Sequence, residues 1–227
     1  RRSSDLSFQR FPTDDDQCAP AAYVSGDTLF YTGSTYRGLP IWYTLNPWSG
    51  RWRQAVECST LPSWDPCLFL DDGGKLYLYY GSSNEYPIKA VELSRENFLP
   101  ISKIHDVVML DPRHHGWERF GEYNDNTFLQ PFTEGAFMTK HNGKYYLQYG
   151  APGTEFSGYA DGVYVGKHPL GPFEYQSHNP FSYKPGGFAR GAGHGATFTD
   201  SNDKYWHVST IGICVKNMKK LKTKKCV

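Results

Sequence analysis

The chain has 227 residues, a length typical of one domain or a closely packed pair and sufficient to bury a hydrophobic core. Aromatic residues make up 16% of it, and 23 Gly and 15 Pro favour short strands joined by turns over an all-helical bundle. The formal charge is +1, and no basic stripe with interleaved aromatic residues points to nucleic acid as a partner. Apolar runs are only about five residues long, so we expect no membrane span.

The two ends of the chain differ from its body. Six lysines and no acidic residue lie in 216–227, and without these lysines the formal charge falls from +1 to −5. We therefore expect one β-domain over residues 1–215, followed by a solvated Lys-rich tail over 216–227. The start lacks the apolar segment of a signal peptide, so the chain is expected to be cytoplasmic, already processed, or cut from something longer. The five cysteines include no C-x-x-C pair, so neither a zinc site nor a disulfide framework is indicated.

One pattern occurs four times: an alternation of aromatic or apolar residues, a polar turn, a second alternation, and a Gly or another small residue. Each copy predicts a β-hairpin. The turns are marked by Asp27, Lys75, Lys144 and Lys204, which lie 48, 69 and 60 residues apart. This spacing is typical of propeller blades with insertions, and because one such repeat cannot bury both of its faces, neighbouring copies must stack.

A further strand is predicted after the first and third hairpins, at 41–47 and 163–169, and each is followed by a Pro-Gly turn and an aromatic residue. We therefore predict an all-β fold, a β-propeller with about four blades in this chain. The fourth hairpin is followed at once by the Lys-rich end, so we expect the propeller to be incomplete there. A single β-sandwich is the structural alternative.

Polar residues directly before each hairpin form the candidate site, because the segment that enters the innermost strand of a blade lies near the central channel. Carboxylates precede the first three hairpins, at 14–16, Asp65 and Glu134, whereas His194 precedes the fourth. Residues 191–196 also match a dinucleotide-binding pattern, but that pattern requires a following helix. The alternation after it predicts a strand, so cofactor binding is rejected.

At these residues the chain resembles glycoside hydrolase family 43, five-bladed propeller enzymes that remove arabinose, xylose or related sugars from plant-type polysaccharides. The resemblance covers roughly residues 14–212 and is carried by Trp64-Asp65-Pro66-Cys67-Leu68-Phe69, Glu134-Gly135-Ala136-Phe137 and Gly193-His194. It implies a truncated propeller of the five-bladed type and a glycosidase that acts on an oligo- or polysaccharide. It also implies that no cofactor is required and that the protein is secreted or periplasmic.

The resemblance implies an inverting acid/base mechanism. Glu134 matches the general acid, which must be kept protonated near neutral pH by an apolar pocket or a like charge. Asp65 matches the residue that raises the pKa of the acid and orients it, since two neighbouring carboxylates disfavour joint ionisation. A base on the opposite face activates water across a carboxyl separation of about 6.5 to 9.5 Å.

The first blade departs from the family pattern. The base of the family is usually an Asp directly before Pro, but Ala19 precedes Pro20 here. Asp16 would substitute if the backbone bends, with Asp14 and Asp15 as further candidates. A base from none of these would leave a non-catalytic carbohydrate-binding propeller or an inactive fragment.

Further residues complete the expected site. His194 matches a family position near the channel where a His contacts a metal or its water shell, which allows a Ca²⁺ ion at the propeller centre. A purely structural His is the alternative. Trp64 and Trp42 are candidates to stack on the apolar face of a sugar, with packing between blades as the alternative for each. The pair His114 and His115 lacks metal-ligand spacing and is assigned to a surface loop.

Overall fold

The computed structural model describes residues 17–59, 64–82, 87–128, 131–184 and 186–213. Within these ranges the chain forms four antiparallel β-sheets, which follow one another along the sequence. Helical structure there is limited to two 3₁₀ turns, Pro47–Ser49 and Gly116–Glu118. No helix in these ranges has the length and apolar character needed to span a bilayer.

The strands of each sheet are connected as an antiparallel meander. The first sheet contains β1 (Cys18–Ser25), β2 (Thr28–Ser34), β3 (Leu39–Thr44) and β4 (Arg53–Ser59). The second contains β5 (Cys67–Leu70), β6 (Leu76–Tyr80), β7 (Ile88–Leu93) and β8 (His105–Val108). The third contains β9 (Glu134–His141), β10 (Lys144–Ala151), β11 (Ala160–Gly166) and β12 (Phe173–Tyr175), with β13 (Ser182–Tyr183) paired to the start of β11. The fourth is the hairpin of β14 (Ala189–Thr199) and β15 (Tyr205–Ile213).

The first strand of each sheet lies beside the first strand of the next, since β1 contacts β5, β5 contacts β9 and β9 contacts β14. Sheets stacked in this radial order form a β-propeller, and we call them blades 1 to 4. All four predicted hairpins are present, so the prediction of an all-β propeller with about four blades is confirmed. The sandwich alternative is excluded, because a sandwich has two packed sheets.

Strand β6 shows how the sequence pattern becomes packing. Side chains alternate between the two faces of a strand, and all five residues of β6 are buried because blade 2 has a neighbour on each side. Leu76, Leu78 and Tyr80 pack in the cluster shared with blade 1. Tyr77 and Tyr79 pack in the cluster shared with blade 3. Each large apolar side chain buried in this way contributes about 1.5 to 3 kcal/mol, so these two interfaces hold the blades together.

The segment between β8 and β9 docks on blade 3 through a buried carboxylate. Glu118 is fully buried, and its Oε1 accepts a hydrogen bond from the hydroxyl of Tyr149. Its Oε2 accepts a hydrogen bond of 2.7 Å from the backbone N–H of Asp111. Burial raises the pKa of Glu118 to about 7, because the charged form loses its contact with water.

The two neighbouring histidines of this segment have different surroundings. The side chain of His114 is 79% exposed, as a surface loop requires. His115 instead stacks on Tyr175 with 3.5 Å between ring centroids, and its Nδ1 lies 3.4 Å from Glu118 Oε1. His115 therefore belongs to the contact with blade 3 rather than to an exposed loop.

Candidate active site

Every blade carries at least one residue with a positive φ in its innermost strand or within two residues before it. The φ angles are 48° at Ala19, 53° at Asp65, 65° at Gly135 and 51° at His194. Residues with a side chain seldom adopt this region, so its use in all four blades marks a local requirement rather than chance. These residues redirect the chain where the four innermost strands approach one another. As a result, side chains from three blades come together.

Asp65, Glu134 and His194 meet at this place. One ligand atom of each lies within 4.8 Å of those of the other two. His194 Nδ1 is 3.6 Å from Asp65 Oδ2. Asp65 is only 6% exposed, whereas Glu134 and His194 are half-buried and remain open to a ligand. Residues predicted from three separate segments of the sequence thus converge on one cluster.

Asp65 is held by both neighbouring blades, through its backbone on blade 1 and through its carboxyl on blade 3. Its backbone N–H donates to Ser34 Oγ on blade 1 at 2.9 Å, and its Oδ2 accepts from the backbone N–H of Gly135 at 3.0 Å. Burial raises the pKa of Asp65, while the facing His194 ring and the Gly135 amide act in the opposite direction. These contacts fix the position of Asp65, as expected of a residue that orients another group.

Gly135 has no side chain because none would fit. A Cβ at this position would lie 2.9 Å from Cγ and 3.0 Å from Cα of His194, and its φ of 65° also favours glycine. The close approach lets the backbone of blade 3 pass directly beside the His194 ring. Gly135 therefore sets the spacing between the acid on one blade and the imidazole on the next.

Glu134 lies in surroundings that suit a proton donor. Burial raises its pKa, and the neighbouring carboxyl of Asp65 raises it further because two negative charges repel. Ser82 Oγ donates a long hydrogen bond of 3.4 Å to Glu134 Oε2. The buried hydroxyl of Tyr159 completes no hydrogen bond of ordinary geometry among the described residues, but it is close enough to the carboxyl to lower the pKa of Glu134. The balance leaves a raised pKa, the property a general acid needs near neutral pH.

Sequence analysis missed the supporting residues Ser34, Ser82 and Tyr159. The two serines could have been found from the sequence, since each follows the Gly at the end of a repeated hairpin pattern, in Gly33-Ser34 and Gly81-Ser82. Tyr159 lies in a connection with no repeated pattern, and only the fold places its hydroxyl beside Glu134.

The other predicted site residues lie outside this cluster or outside the described residues. Asp14, Asp15 and Asp16 lie outside the described residues. Trp64 is half-buried directly before Asp65 and meets the exposed ring of Tyr36 edge to face, with 5.4 Å between centroids. Trp42 is only 6% exposed within blade 1, a burial that favours packing over stacking on a sugar.

The cluster of Asp65, Glu134 and His194 is a poor set of ligands for a calcium ion. Ca²⁺ takes six to eight oxygen ligands, whereas the cluster offers two carboxylates and an imidazole nitrogen. One of the carboxylate oxygens, Asp65 Oδ2, already accepts the Gly135 amide. The three residues do not form a calcium site by themselves, and no chemical step is assigned to a metal.

The sequence matches Glycosyl hydrolases family 43 over residues 43–212, and the chain belongs to this family. It is 30% identical over 129 residues to a Beta-xylosidase of Xylanibacter ruminicola, a match that covers 49% of this chain and 39% of the relative. It is 25% identical over 186 residues to an Arabinoxylan arabinofuranohydrolase of Paenibacillus polymyxa, covering 74% of this chain and 27% of the relative. The chain thus spans well under half the length of either relative.

Solved structures show the same fold. The structure described as Bacteroides ovatus Xyloglucan PUL GH43B superimposes with a TM-score of 0.71 at 19% identity, covering 88% of this chain and 37% of the other. A xylan beta-1,4-xylosidase from Bacillus halodurans gives a TM-score of 0.65 at 21% identity, covering 90% and 40%. At these identities the likeness establishes the propeller fold.

Proposed function

We propose that this chain hydrolyses O-glycosidic bonds of arabinose- or xylose-type glycans. The observation that carries the proposal is the cluster of Asp65, Glu134 and His194, in which a half-buried carboxyl has a raised pKa beside a second carboxyl. Family membership and the names of the two curated relatives, a Beta-xylosidase and an Arabinoxylan arabinofuranohydrolase, support this class of substrate. An enzyme acting on such polysaccharides meets them outside the cell, which supports a secreted or periplasmic location.

In the proposed mechanism, Glu134 donates its proton to the glycosidic oxygen as the bond from that oxygen to the anomeric carbon breaks. The leaving sugar departs as a neutral alcohol, and positive charge develops at the anomeric carbon. Asp65 stays beside Glu134 and keeps its pKa raised through charge repulsion. Trp64, which directly precedes Asp65 and is half-buried, is proposed to offer an aromatic face for the sugar ring.

The water that attacks the anomeric carbon needs a base on the opposite face of the sugar in an inverting reaction. Asp16 is proposed for this role. Ala19 has the left-handed backbone that Asp65 has in blade 2, and each directly precedes a Pro, so these two positions correspond. The position in blade 1 that corresponds to Asp65 therefore carries a methyl group, and Asp16 would have to supply the carboxylate from three residues earlier.

The experiment measures release of p-nitrophenol from arabinofuranoside and xyloside substrates. Glu134→Gln is expected to lower kcat, but by less than the 10² to 10⁴-fold or so that general acid catalysis contributes for a sugar leaving group, because nitrophenol departs with little help from a proton. Asp16→Asn is expected to lower it as well. The matched control is Glu174→Gln on β12, an exposed glutamate outside the cluster, which should retain full activity.

A folded wild-type chain that releases no nitrophenol from any of these substrates would contradict the proposal. Ala19→Asp then separates the remaining explanations. Hydrolysis gained by this variant would show that the chain lacks only a base. No gain, with xylo-oligosaccharide binding still detectable by calorimetry, would leave a carbohydrate-binding protein.

A further inference from the structure

Next to the candidate active site, blades 3 and 4 bury a further carboxylate. Asp161 on β11 is fully buried, and His207 on β15 places Nε2 3.3 Å from Asp161 Oδ2. Among the described residues no in-line hydrogen bond reaches either oxygen of this carboxyl. Burying a carboxylate with so few partners is unfavourable, so the pair requires an explanation beyond the packing of two blades.

The ring of His207 is fixed by its surroundings. Its Nδ1 lies 3.1 Å from Thr197 Oγ1, and the side-chain amide of Gln148 donates to that same oxygen at 2.9 Å. Because the amide uses an acceptor site of the hydroxyl, the hydroxyl hydrogen can point to His207 Nδ1, and Nε2 then carries the hydrogen that faces Asp161. Phe181 packs edge-on against the ring with 5.1 Å between centroids. The network therefore directs one N–H of the ring toward the buried carboxyl.

Asp161 and His207 both pack against the backbone next to His194. The pairing of β14 with β15 shifts between Gly191 and Gly193 and again between Gly193 and Ala196, so that His194 and Gly195 bulge out of the ladder. Bulges of this kind redirect a side chain next to an active site. A Cβ on Gly195 would overlap both Asp161 Oδ2 and the His207 ring. The carboxyl also lies close enough to the Gly195 amide to be stabilised by it.

We propose that Asp161 and His207 are positioning residues of the active site. Pressed against Gly195, they hold the bulge of β14 in the conformation that directs the His194 ring toward Asp65 and Glu134. Neither residue is placed at the reacting atoms, so their effect passes through His194. This inference rests on the proposed function, because positioning has a catalytic consequence only if Glu134 acts as the acid.

The test compares Asp161→Asn, His207→Gln and His207→Met with the wild-type chain. The control is Asp106→Asn, which alters an exposed ion pair with Lys89 on blade 2. Asp161→Asn is expected to lower kcat by about 10- to 100-fold with KM within about twofold, since a displaced His194 alters the surroundings of Asp65 and Glu134, and small misplacements in an active site cost rates of this order. Its melting temperature should stay close to that of the wild type, because Asn has nearly the shape of Asp and keeps a carbonyl oxygen that can accept the N–H of His207. His207→Gln keeps an N–H donor and should recover most of the activity that His207→Met loses.

Amide hydrogen exchange of segment 189–199 is the second readout and does not depend on activity. Exchange in this segment should be at least about tenfold faster in Asp161→Asn and His207→Met than in the wild type, with the rest of the chain unchanged. If the wild type hydrolyses nothing, the proposed function fails, and exchange alone then decides this inference. Unchanged exchange in both variants would overturn it, and so would equal behaviour of His207→Gln and His207→Met.

Discussion

Replacing Glu118 by Gln removes the titration of a fully buried carboxyl while keeping its shape and one carbonyl acceptor. In the folded chain the pKa of this group is raised from 4.5 to about 7, chiefly by burial. Between these two values the folded state holds a proton that the unfolded chain has released. The free energy of unfolding of the wild type should therefore fall as the pH rises through this interval.

The size of the effect follows from the shift. Each pKa unit corresponds to about 1.4 kcal/mol, so a carboxyl moved from 4.5 to about 7 should cost the wild type about 3 kcal/mol of stability by pH 8. Glu118 is fully buried, so water does not screen the effect. Burial lowers the pKa of the neighbouring His115, which makes stability rise with pH near neutrality. That opposite contribution is present in both proteins and largely cancels in their difference.

The assay is urea unfolding of the wild type and Glu118→Gln at pH 5 and pH 8. We expect the stability of the variant relative to the wild type to increase by about 2.5 kcal/mol between these two pH values, since the unfolded carboxyl is already mostly ionised at pH 5. The carboxyl of Asp111, which has a lowered pKa, is ionised at both. A difference that does not change with pH would refute the reasoning, because it would mean that Glu118 is ionised at pH 5 in the folded chain.

Three further predictions concern single side chains. Gly135→Ala should lower the free energy of unfolding by about 1 to 3 kcal/mol, because the new Cβ would contact His194 and residue 135 has a φ of 65°. An unchanged midpoint of urea unfolding would contradict this. Tyr159→Phe removes a hydroxyl that lowers the pKa of Glu134, so the alkaline limb of the kcat/KM profile should move to higher pH, and a stationary limb would count against the contact. Burial raises the pKa of the Cys67 thiol to about 12, so iodoacetamide at pH 8 should modify the exposed Cys18 and spare Cys67, as mass spectrometry can check.

Much of the fold could be predicted because the four hairpins share one pattern of alternation and turn. The strands that follow each hairpin were harder to predict. The third strand of blade 1 was expected at 41–47 and is found at Leu39–Thr44, and that of blade 3 was expected at 163–169 and is found at Ala160–Gly166. Strand ends depend on pairing with neighbouring strands, which local sequence does not contain. Both outer strands of blade 2, β7 and β8, were not predicted, and neither were the fourth strands of blades 1 and 3, β4 and β12.

The site was predictable where its residues occupy repeated positions. Asp65, Glu134 and His194 each lie just before one of the repeated patterns in the sequence, and that shared position identified them, although the structure places His194 inside β14. The residues that support them come from elsewhere. Tyr159 lies beside Glu134, and Asp161 lies beside Gly195, because blade 3 packs against blade 4, and no spacing in the sequence encodes these contacts. Asp16, the proposed base, lies outside the described residues and stays a prediction.

The central claim, that Glu134 protonates the leaving group, is tested most directly by the leaving-group dependence of Glu134→Ala. The measurement compares kcat/KM on a 2,4-dinitrophenyl xyloside, whose leaving group needs no proton, with that on xylobiose, whose leaving group does. We predict a loss of about 10² to 10⁴-fold on xylobiose and a loss of less than about tenfold on the dinitrophenyl substrate. Equal losses on the two substrates would contradict the account, because they would show that Glu134 supports the site without donating a proton.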